Sequence, residues 1–140
     1  ALVDIQRFFR LILFNFVTSN DDAHLKNFSL IEYNGEYRLS PAYDLVNTAL
    51  QLREPRIFAL DKGLFREGMA FSDTRTIRHT DFEEFGRRIG LPEKVVRKEI
   101  ELFLSDQPLT YELLERSFLS EELKKQYRQT FDYRRRMLGF

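Results

Sequence analysis

The start of the chain carries apolar residues at helical spacing on more than one side. One face is formed by Leu2, Ile5, Phe9, Ile12, Leu13 and Phe16, and a second by Phe8, Leu11, Phe14 and Val17. A helix that is apolar on most sides is usually buried in a larger domain. The pattern predicts a buried helix within residues 1–19, which ends where short polar side chains compete for backbone hydrogen bonds at Thr18, Ser19 and Asn20.

A β-hairpin is predicted next, from two apolar runs on either side of Asn34-Gly35. The runs cover residues 28–33 and 36–39. An Asn-Gly pair between such runs favours a tight turn because both residues tolerate positive φ. Ser40-Pro41 ends the second strand.

The middle of the chain gives weaker signals. Residues 41–56 carry two prolines and are predicted to be largely irregular. Residues 57–72 are interrupted by Gly63 and Gly68 and fit neither pattern clearly, although residues 57–60 are compatible with an extended segment.

Helices are predicted for the rest of the chain. Thr80 and Glu83 have the spacing of a capping box. Gly90 ends that helix, and Pro92 suits the first position of the next one. The predicted helices cover residues 80–89, 92–104, 109–118 and 120–138. The expected fold class is mainly α, with a small β-hairpin between a buried helix and a helical bundle over residues 80–138.

Composition narrows the classes of protein. The chain has 140 residues, 43% of them hydrophobic, and its 22 basic and 22 acidic residues cancel. It is long enough for one domain with a core, and it lacks the basic excess of a nucleic-acid binder, so no direct nucleic-acid contact is expected. The absence of cysteine excludes a disulfide scaffold and a thiolate zinc site. The apolar run at residues 8–17 is too short to span a bilayer, so we expect a soluble, cytoplasmic protein that does not bind a membrane.

Three polar residues around the hairpin have the spacing of a phosphoryl-transfer site. Asp22 precedes Asn27 with four residues between them, as the catalytic Asp precedes the Mg²⁺-binding Asn in protein kinases. A hairpin goes out and returns, so Asp44 is expected to lie close to both. Transfer from ATP needs one carboxylate that takes the proton of the acceptor hydroxyl, and an amide oxygen and a second carboxylate that hold Mg²⁺ on the phosphates.

The chain resembles the HipA family of bacterial serine/threonine kinases, which are toxin components of toxin–antitoxin pairs. The resemblance is found in two strings, NDDAHLKNFS over residues 20–29 and LSPAYDL over residues 39–45. Residues 82–98, with their Gly90-Leu91-Pro92 break, are similar to the family's C-terminal helical lobe. The resemblance implies that residues 1–140 are the C-terminal lobe of a protein-kinase-like fold, with ATP and Mg²⁺ as cofactors.

The resemblance also implies roles for single residues. Asp22 would be the catalytic base, and Asn27 and Asp44 would hold Mg²⁺. His24 would steady the transferring phosphoryl group, as in the Asp-x-His-x-x-Asn loop of lipid-kinase-like atypical kinases. Leu45 follows Asp44 where ordinary kinases have Phe-Gly. The residues implied to bind the nucleotide are His24, Lys26, Asn27, Tyr43 and Asp44.

Simpler interpretations of several residues stay open. An Asp after a helix is usually a cap or turn residue, and a lone loop His is usually a structural hydrogen-bonding group. An exposed Lys26 needs no function, and Tyr43 suits packing as well as a pocket wall. Asp21 is interpreted as a solvated or capping neighbour of the catalytic Asp. The basic run at residues 134–136 is interpreted as a solvated helix end, where cations suit the helix dipole.

A complete kinase needs more than this chain offers. No Gly-rich loop between strands and no phosphate-gripping Lys is recognisable, and the chain begins with Ala1 inside a predicted helix. We therefore expect an N-terminal lobe to be missing and the fragment alone to be inactive. The implied partners are a protein substrate, such as a translation factor or an aminoacyl-tRNA synthetase, and a DNA-binding antitoxin. The alternative is a non-catalytic helical interaction module that retains a relic kinase loop.

Overall fold

The structure is a computed structural model that describes residues 2–21, 23–50 and 77–140. Within these ranges the chain forms α1 (Leu2–Val17), β1 (Leu30–Tyr33), β2 (Glu36–Leu39), α2 (His79–Arg88), α3 (Glu93–Leu104), α4 (Pro108–Arg116) and α5 (Glu121–Met137). The expected mainly α fold with one hairpin is confirmed. None of these helices has the length and apolar character needed to cross a membrane. The predictions for residues 51–56 and 57–72 lie outside the described residues.

Helix α1 lies at the centre of the hydrophobic core. It contacts α3, α5 and strand β2. Phe9 and Phe16 are fully buried on its inner side. The Phe9 ring stacks on Phe85 with 5.9 Å between centroids, and the Phe16 ring meets Phe82 edge to face at 5.1 Å. Aromatic pairs of this kind stabilise a core beyond the apolar area that they bury, so they fix α1 against α2.

The hairpin has the turn that its sequence predicts. Tyr33 pairs with Glu36 across the turn, and the two residues between them, Asn34 and Gly35, have φ values of 52° and 78°. Positive φ at both central positions matches the right-handed twist of the strands. The whole of β1 is exposed, so the turn and the ladder, rather than burial, set the register.

Two features that were predicted at helix starts differ from those that form. Helix α2 begins before Thr80, and its first turn is capped by the Asp81 carboxylate, which accepts a hydrogen bond from the Arg78 N–H at 3.0 Å. The predicted Thr80–Glu83 capping box is therefore not the one that forms, because an acidic side chain two residues nearer the start takes that role. Pro92 precedes the first residue of α3 rather than occupying it.

Helices α2 and α3 approach closely at a glycine. A Cβ on Gly86 would lie 2.3 Å from Cγ2 of Val96, a distance that no relaxed packing allows. After α2, Gly90 has a φ of 87°, which confirms it as the residue that ends the helix. The tight turn and the missing side chain together let α3 fold back onto α2.

A buried carboxylate links α1 to α3. Glu99 is 1% exposed and accepts hydrogen bonds from Arg10 Nε and Nη2 at 2.6 and 2.8 Å and from Gln6 Nε2 at 2.6 Å. Burial by itself raises the pKa of Glu99, but the bonds from Arg10 and Gln6 outweigh it and hold the pKa below its usual value.

Candidate active site

The hairpin brings the two predicted metal ligands together. Asn27 ends a single turn of 3₁₀-helix, Leu25–Asn27, ahead of β1, and Asp44 follows β2. The Asn27 amide Nδ2 donates a hydrogen bond of 2.7 Å to Oδ2 of Asp44. The expected proximity of these side chains is confirmed, whereas their roles stay predictions.

Asp44 has an unusual backbone conformation that a neighbouring side chain supports. Its φ is 56°, in the left-handed region that residues other than glycine rarely adopt. Asn20 Nδ2 donates to the Asp44 carbonyl at 3.1 Å and to Oδ1 of Asn15 at 3.2 Å. Strained residues held by their surroundings concentrate at functional sites. Asn20 thus ties the loop that follows α1 to the backbone of Asp44.

The segment after Asp44 is fastened to the loop that follows α1. The Thr48 N–H and Oγ1 both donate to the Ser19 carbonyl, at 2.9 and 3.1 Å. Thr48 Oγ1 also accepts from the Asp21 N–H at 3.1 Å, and Asn47 Nδ2 donates to the Thr18 carbonyl at 3.0 Å. These bonds fasten the segment after Asp44 to the loop after α1 without involving the hairpin strands.

Tyr43 and Lys26 lie on the same side of the hairpin base. The Tyr43 hydroxyl is 2.7 Å from the Ser29 hydroxyl and donates a long bond of 3.4 Å to the Lys26 carbonyl. Both side chains are exposed, as is that of His24, whose carbonyl accepts from the Asn27 N–H at 2.9 Å. The structure thus places His24 and Lys26 on the short loop around Asn27, and Tyr43, which follows β2, bonds to that loop through its hydroxyl.

Of the two adjacent aspartates at the start of the loop, the structure describes only Asp21. Asp22 lies outside the described residues, so its role stays a prediction. Asp21 is 5% exposed, and its carboxylate oxygens accept from Arg134 at 2.7 and 3.0 Å. The interpretation of Asp21 as solvated or capping is therefore wrong. The interpretation of residues 134–136 as a solvated helix end is also wrong for Arg134, which lies with Phe131 on a buried face of α5.

Asn27 and Asp44 offer the oxygen atoms that Mg²⁺ prefers. The Asn27 Oδ1 atom is buried and accepts no hydrogen bond from the described residues. An amide oxygen beside a carboxylate is a donor set for a hard cation. No cluster of three or more His, Cys, Asp or Glu side chains suited to a metal occurs in the described part of the chain. Mg²⁺ in nucleotide sites usually takes one or two protein ligands, phosphate oxygens and water, so the pair fits such an ion.

An apolar groove lies next to this site but does not include it. The groove, of about 790 Å³, runs between α1 and the hairpin and is lined by Phe14, Ile31 and Leu45 among others. Neither Asn27 nor Asp44 belongs to its lining. The groove is therefore separate from the polar pair that is suited to a metal and phosphates.

Comparison with known proteins shows the family to which the chain belongs. Residues 2–108 match the family model described as the HipA-like C-terminal domain. The chain belongs to this family. A relative from Haemophilus influenzae named "Putative kinase" is 28% identical over an alignment of 137 positions, and the alignment covers 86% of this chain and 38% of the relative. The HipA-like chain thus spans well under half the length of that relative.

The matched region ends at the start of α4. It includes the described members of the predicted site, from His24 to Asp44, together with α2 and α3. Helix α5 and Arg134 lie beyond its last matched residue. The contact between α5 and the loop after α1 is thus a feature of this structure that the family match does not describe.

Sequence reasoning missed two residues that hold the site together. Arg134 follows Phe131 by three positions and precedes Leu138 by four, which places a charge on an apolar stripe of α5. That position was a usable signal for a buried ion pair. Thr48 gave no such signal, because it lies in an irregular segment and acts through contacts distant in sequence.

Proposed function

We propose that the chain is the C-terminal catalytic lobe of a HipA-like serine/threonine protein kinase, which transfers the γ-phosphate of ATP to a protein hydroxyl. The observation that carries this proposal is the contact between Asn27 and Asp44. The contact joins the end of the predicted catalytic loop to the predicted metal-binding loop. Membership in the HipA-like family and a relative that is named a kinase support the same class of reaction.

In this proposal each residue acts on a different part of the reaction. Asp22 accepts the proton of the acceptor hydroxyl as its oxygen attacks the γ-phosphorus, and ADP leaves. Asn27 and Asp44 hold Mg²⁺ through an amide and a carboxylate oxygen. Bound there, Mg²⁺ would supply positive charge to the phosphate oxygens. Asn20 keeps Asp44 in place through the carbonyl contact described above.

The side chains on the loop have supporting roles. Lys26 and His24 are exposed and lie just before Asn27 in the sequence. In this proposal they contact the phosphates of ATP as cationic or hydrogen-bonding groups. Tyr43 forms part of the nucleotide pocket, anchored through its hydroxyl to Ser29. A Gly-rich loop and a phosphate-gripping Lys belong to an N-terminal lobe outside this chain.

The biological setting of the proposal follows from the family resemblance. The parent protein is a cytoplasmic toxin component whose substrate is a protein such as a translation factor or an aminoacyl-tRNA synthetase. A DNA-binding antitoxin protein is its partner. These assignments rest on the kinase activity itself, which is therefore the property to test first.

The test is phosphate transfer by the protein as encoded in full by its gene. Incubation with γ-labelled ATP and Mg²⁺ should place label on serine or threonine, and a chelator should prevent the transfer. Asp22→Asn should lower the rate by at least about 100-fold, since a general base contributes roughly 10²–10⁴. Asp106→Asn removes an exposed carboxylate between α3 and α4 and should leave the rate unchanged. Absence of transfer would favour the interaction module, and equal rates in both variants would exclude Asp22 as the base.

A further inference from the structure

Helix α5 inserts one arginine beneath the loop that follows α1. Arg134 is 4% exposed. Its Nη1 donates to the Phe16 carbonyl at 2.8 Å and to Asp21 Oδ1 at 2.7 Å, and its Nη2 donates to Asp21 Oδ2 at 3.0 Å. The guanidinium also lies 5.4 Å from the centre of the Phe16 ring. One side chain thus connects the end of α1, the following loop and α5.

Burial of the Asp21–Arg134 ion pair costs free energy unless its hydrogen-bond geometry is maintained. Taking two charges out of water carries a penalty of several kcal/mol per ion, which only close, well-oriented hydrogen bonds offset. A carboxylate that loses its buried partner must move towards water or take up a proton. The buried carboxylate of Asp21 therefore keeps its position only while Arg134 is present.

Asp21 is also fixed at its backbone. Its N–H donates to Thr48 Oγ1, and Thr48 in turn bonds to Ser19. With the side chain bound to Arg134 and the backbone bound to Thr48, the residue directly before Asp22 has little freedom. Both contacts therefore restrain the loop at Asp21, the last described residue before Asp22.

We propose that Arg134 is a positioning residue for the predicted catalytic loop and that it acts through Asp21, which directly precedes Asp22 in the sequence. The inference rests on the proposed kinase function in one respect, the effect on the reaction rate. It assigns a role to α5, which lies outside the residues matched by the family model. Arg134 does not touch Asn27 or Asp44 in the described contacts, so its effect should fall on the chemical step more than on metal–nucleotide binding.

The neighbouring Arg135 provides a matched control. It lies on the same turn of α5 and donates to the Phe103 carbonyl at 2.7 Å and to the Ser105 carbonyl at 2.6 Å. It therefore ties α5 to the end of α3, away from the loop after α1. A lysine in either position keeps the charge but loses the planar, multiple hydrogen bonding of arginine.

The experiment compares Arg134→Lys with Arg135→Lys in the protein as encoded in full by its gene. Backbone hydrogen exchange is measured for residues 18–27, and kcat, the KM for ATP and the melting temperature are measured on the same samples. Both variants should lower the melting temperature. Only Arg134→Lys should speed exchange at the Asp21 amide and lower kcat by about tenfold or more, with the KM for ATP changed less than about threefold. Asp21→Asn should show the same pattern as Arg134→Lys.

Two outcomes would overturn the inference. Unchanged exchange at residues 18–27 in Arg134→Lys would show that Arg134 does not fix the loop. Equal loss of kcat in both lysine variants would show a general effect on stability. If the wild-type protein transfers no phosphate, the proposed kinase function fails, and the exchange comparison still decides whether Arg134 holds the loop.

Discussion

Asn27 and Asp44 are joined by a hydrogen bond of 2.7 Å although their positions in the chain differ by 17. The bond uses the amide nitrogen of Asn27 and leaves its buried oxygen without a partner among the described residues. The Asp44 carboxylate lies beside it on a backbone with positive φ. This arrangement leaves an amide oxygen and a carboxylate close together as ligands for a cation.

Replacing Asn27 with leucine should weaken binding of ATP in the presence of Mg²⁺. Asn27→Leu keeps the size of the side chain but removes the amide oxygen, so we expect an affinity loss of about tenfold or more. Calorimetric titration of ATP at fixed Mg²⁺ measures it. Asp106→Asn is the control, because it changes an exposed side chain between α3 and α4 that has no role in the proposed site. Equal affinities in wild type and Asn27→Leu would show that Asn27 does not hold the ion.

Thr48→Val should destabilise the site more than a similar change elsewhere. Valine has nearly the same shape, but the substitution leaves the Asp21 N–H without its hydroxyl partner, whereas the Ser19 carbonyl keeps its bond from the Thr48 N–H. A polar group that loses its only partner costs about 1–3 kcal/mol. Thr130→Val removes a hydroxyl that bonds a helix carbonyl on the exposed side of α5, and it should cost much less. Urea denaturation of both variants tests this, and equal losses would contradict the account.

Much of the fold could be predicted from local patterns. The helix of α1, the turn at Asn34-Gly35 and the end of α2 at Gly90 all depend on residues close in sequence, and all three are confirmed. The start of α2 was wrong because Asp81 and Glu83 both suit a capping box, and only the folded chain decides between them.

The candidate site was predictable only in part. The spacing of Asn27 and the hairpin that follows it predict the approach of Asp44. The supports from Thr48 and Arg134 depend on segments brought together by tertiary packing, and nothing in the local sequence of Asp21 indicates that it is buried. Long-range ion pairs and side chain–backbone contacts of this kind are set by the whole fold.

Gly86→Ala should destabilise the packing of α2 on α3, although alanine is a better helix former than glycine. Alanine in a helix is favoured over glycine by about 0.5–1 kcal/mol, but the added Cβ would lie 2.3 Å from Val96. Overpacking of this kind usually costs about 1–3 kcal/mol, so the clash should outweigh the gain in helix propensity. Val96→Ala in the same chain should recover part of the loss, which a double-mutant cycle measures. Additive effects of the two substitutions would exclude the contact as the cause.

The buried Glu99 should make the free energy of unfolding depend on pH in the acidic range. Its pKa in the folded chain is lowered from 4.5, so its contribution is present above the unfolded pKa and is lost as the pH falls through the folded value. Glu99→Gln should therefore be less stable than wild type near neutral pH, with the difference shrinking below about pH 4.5. Urea denaturation at several pH values measures this, with the exposed Glu101→Gln as control. A constant difference at all pH values would contradict the role of the charge.

The most direct test of the account separates nucleotide binding from phosphate transfer in two variants of the protein as encoded in full by its gene. ATP affinity at fixed Mg²⁺ and the rate of transfer are measured for Asp22→Asn and Asp44→Asn side by side. We expect Asp22→Asn to bind ATP with Mg²⁺ but to transfer phosphate at least about 100-fold more slowly, and Asp44→Asn to lose both properties. Wild-type ATP affinity in Asp44→Asn, or wild-type transfer in Asp22→Asn, would contradict it.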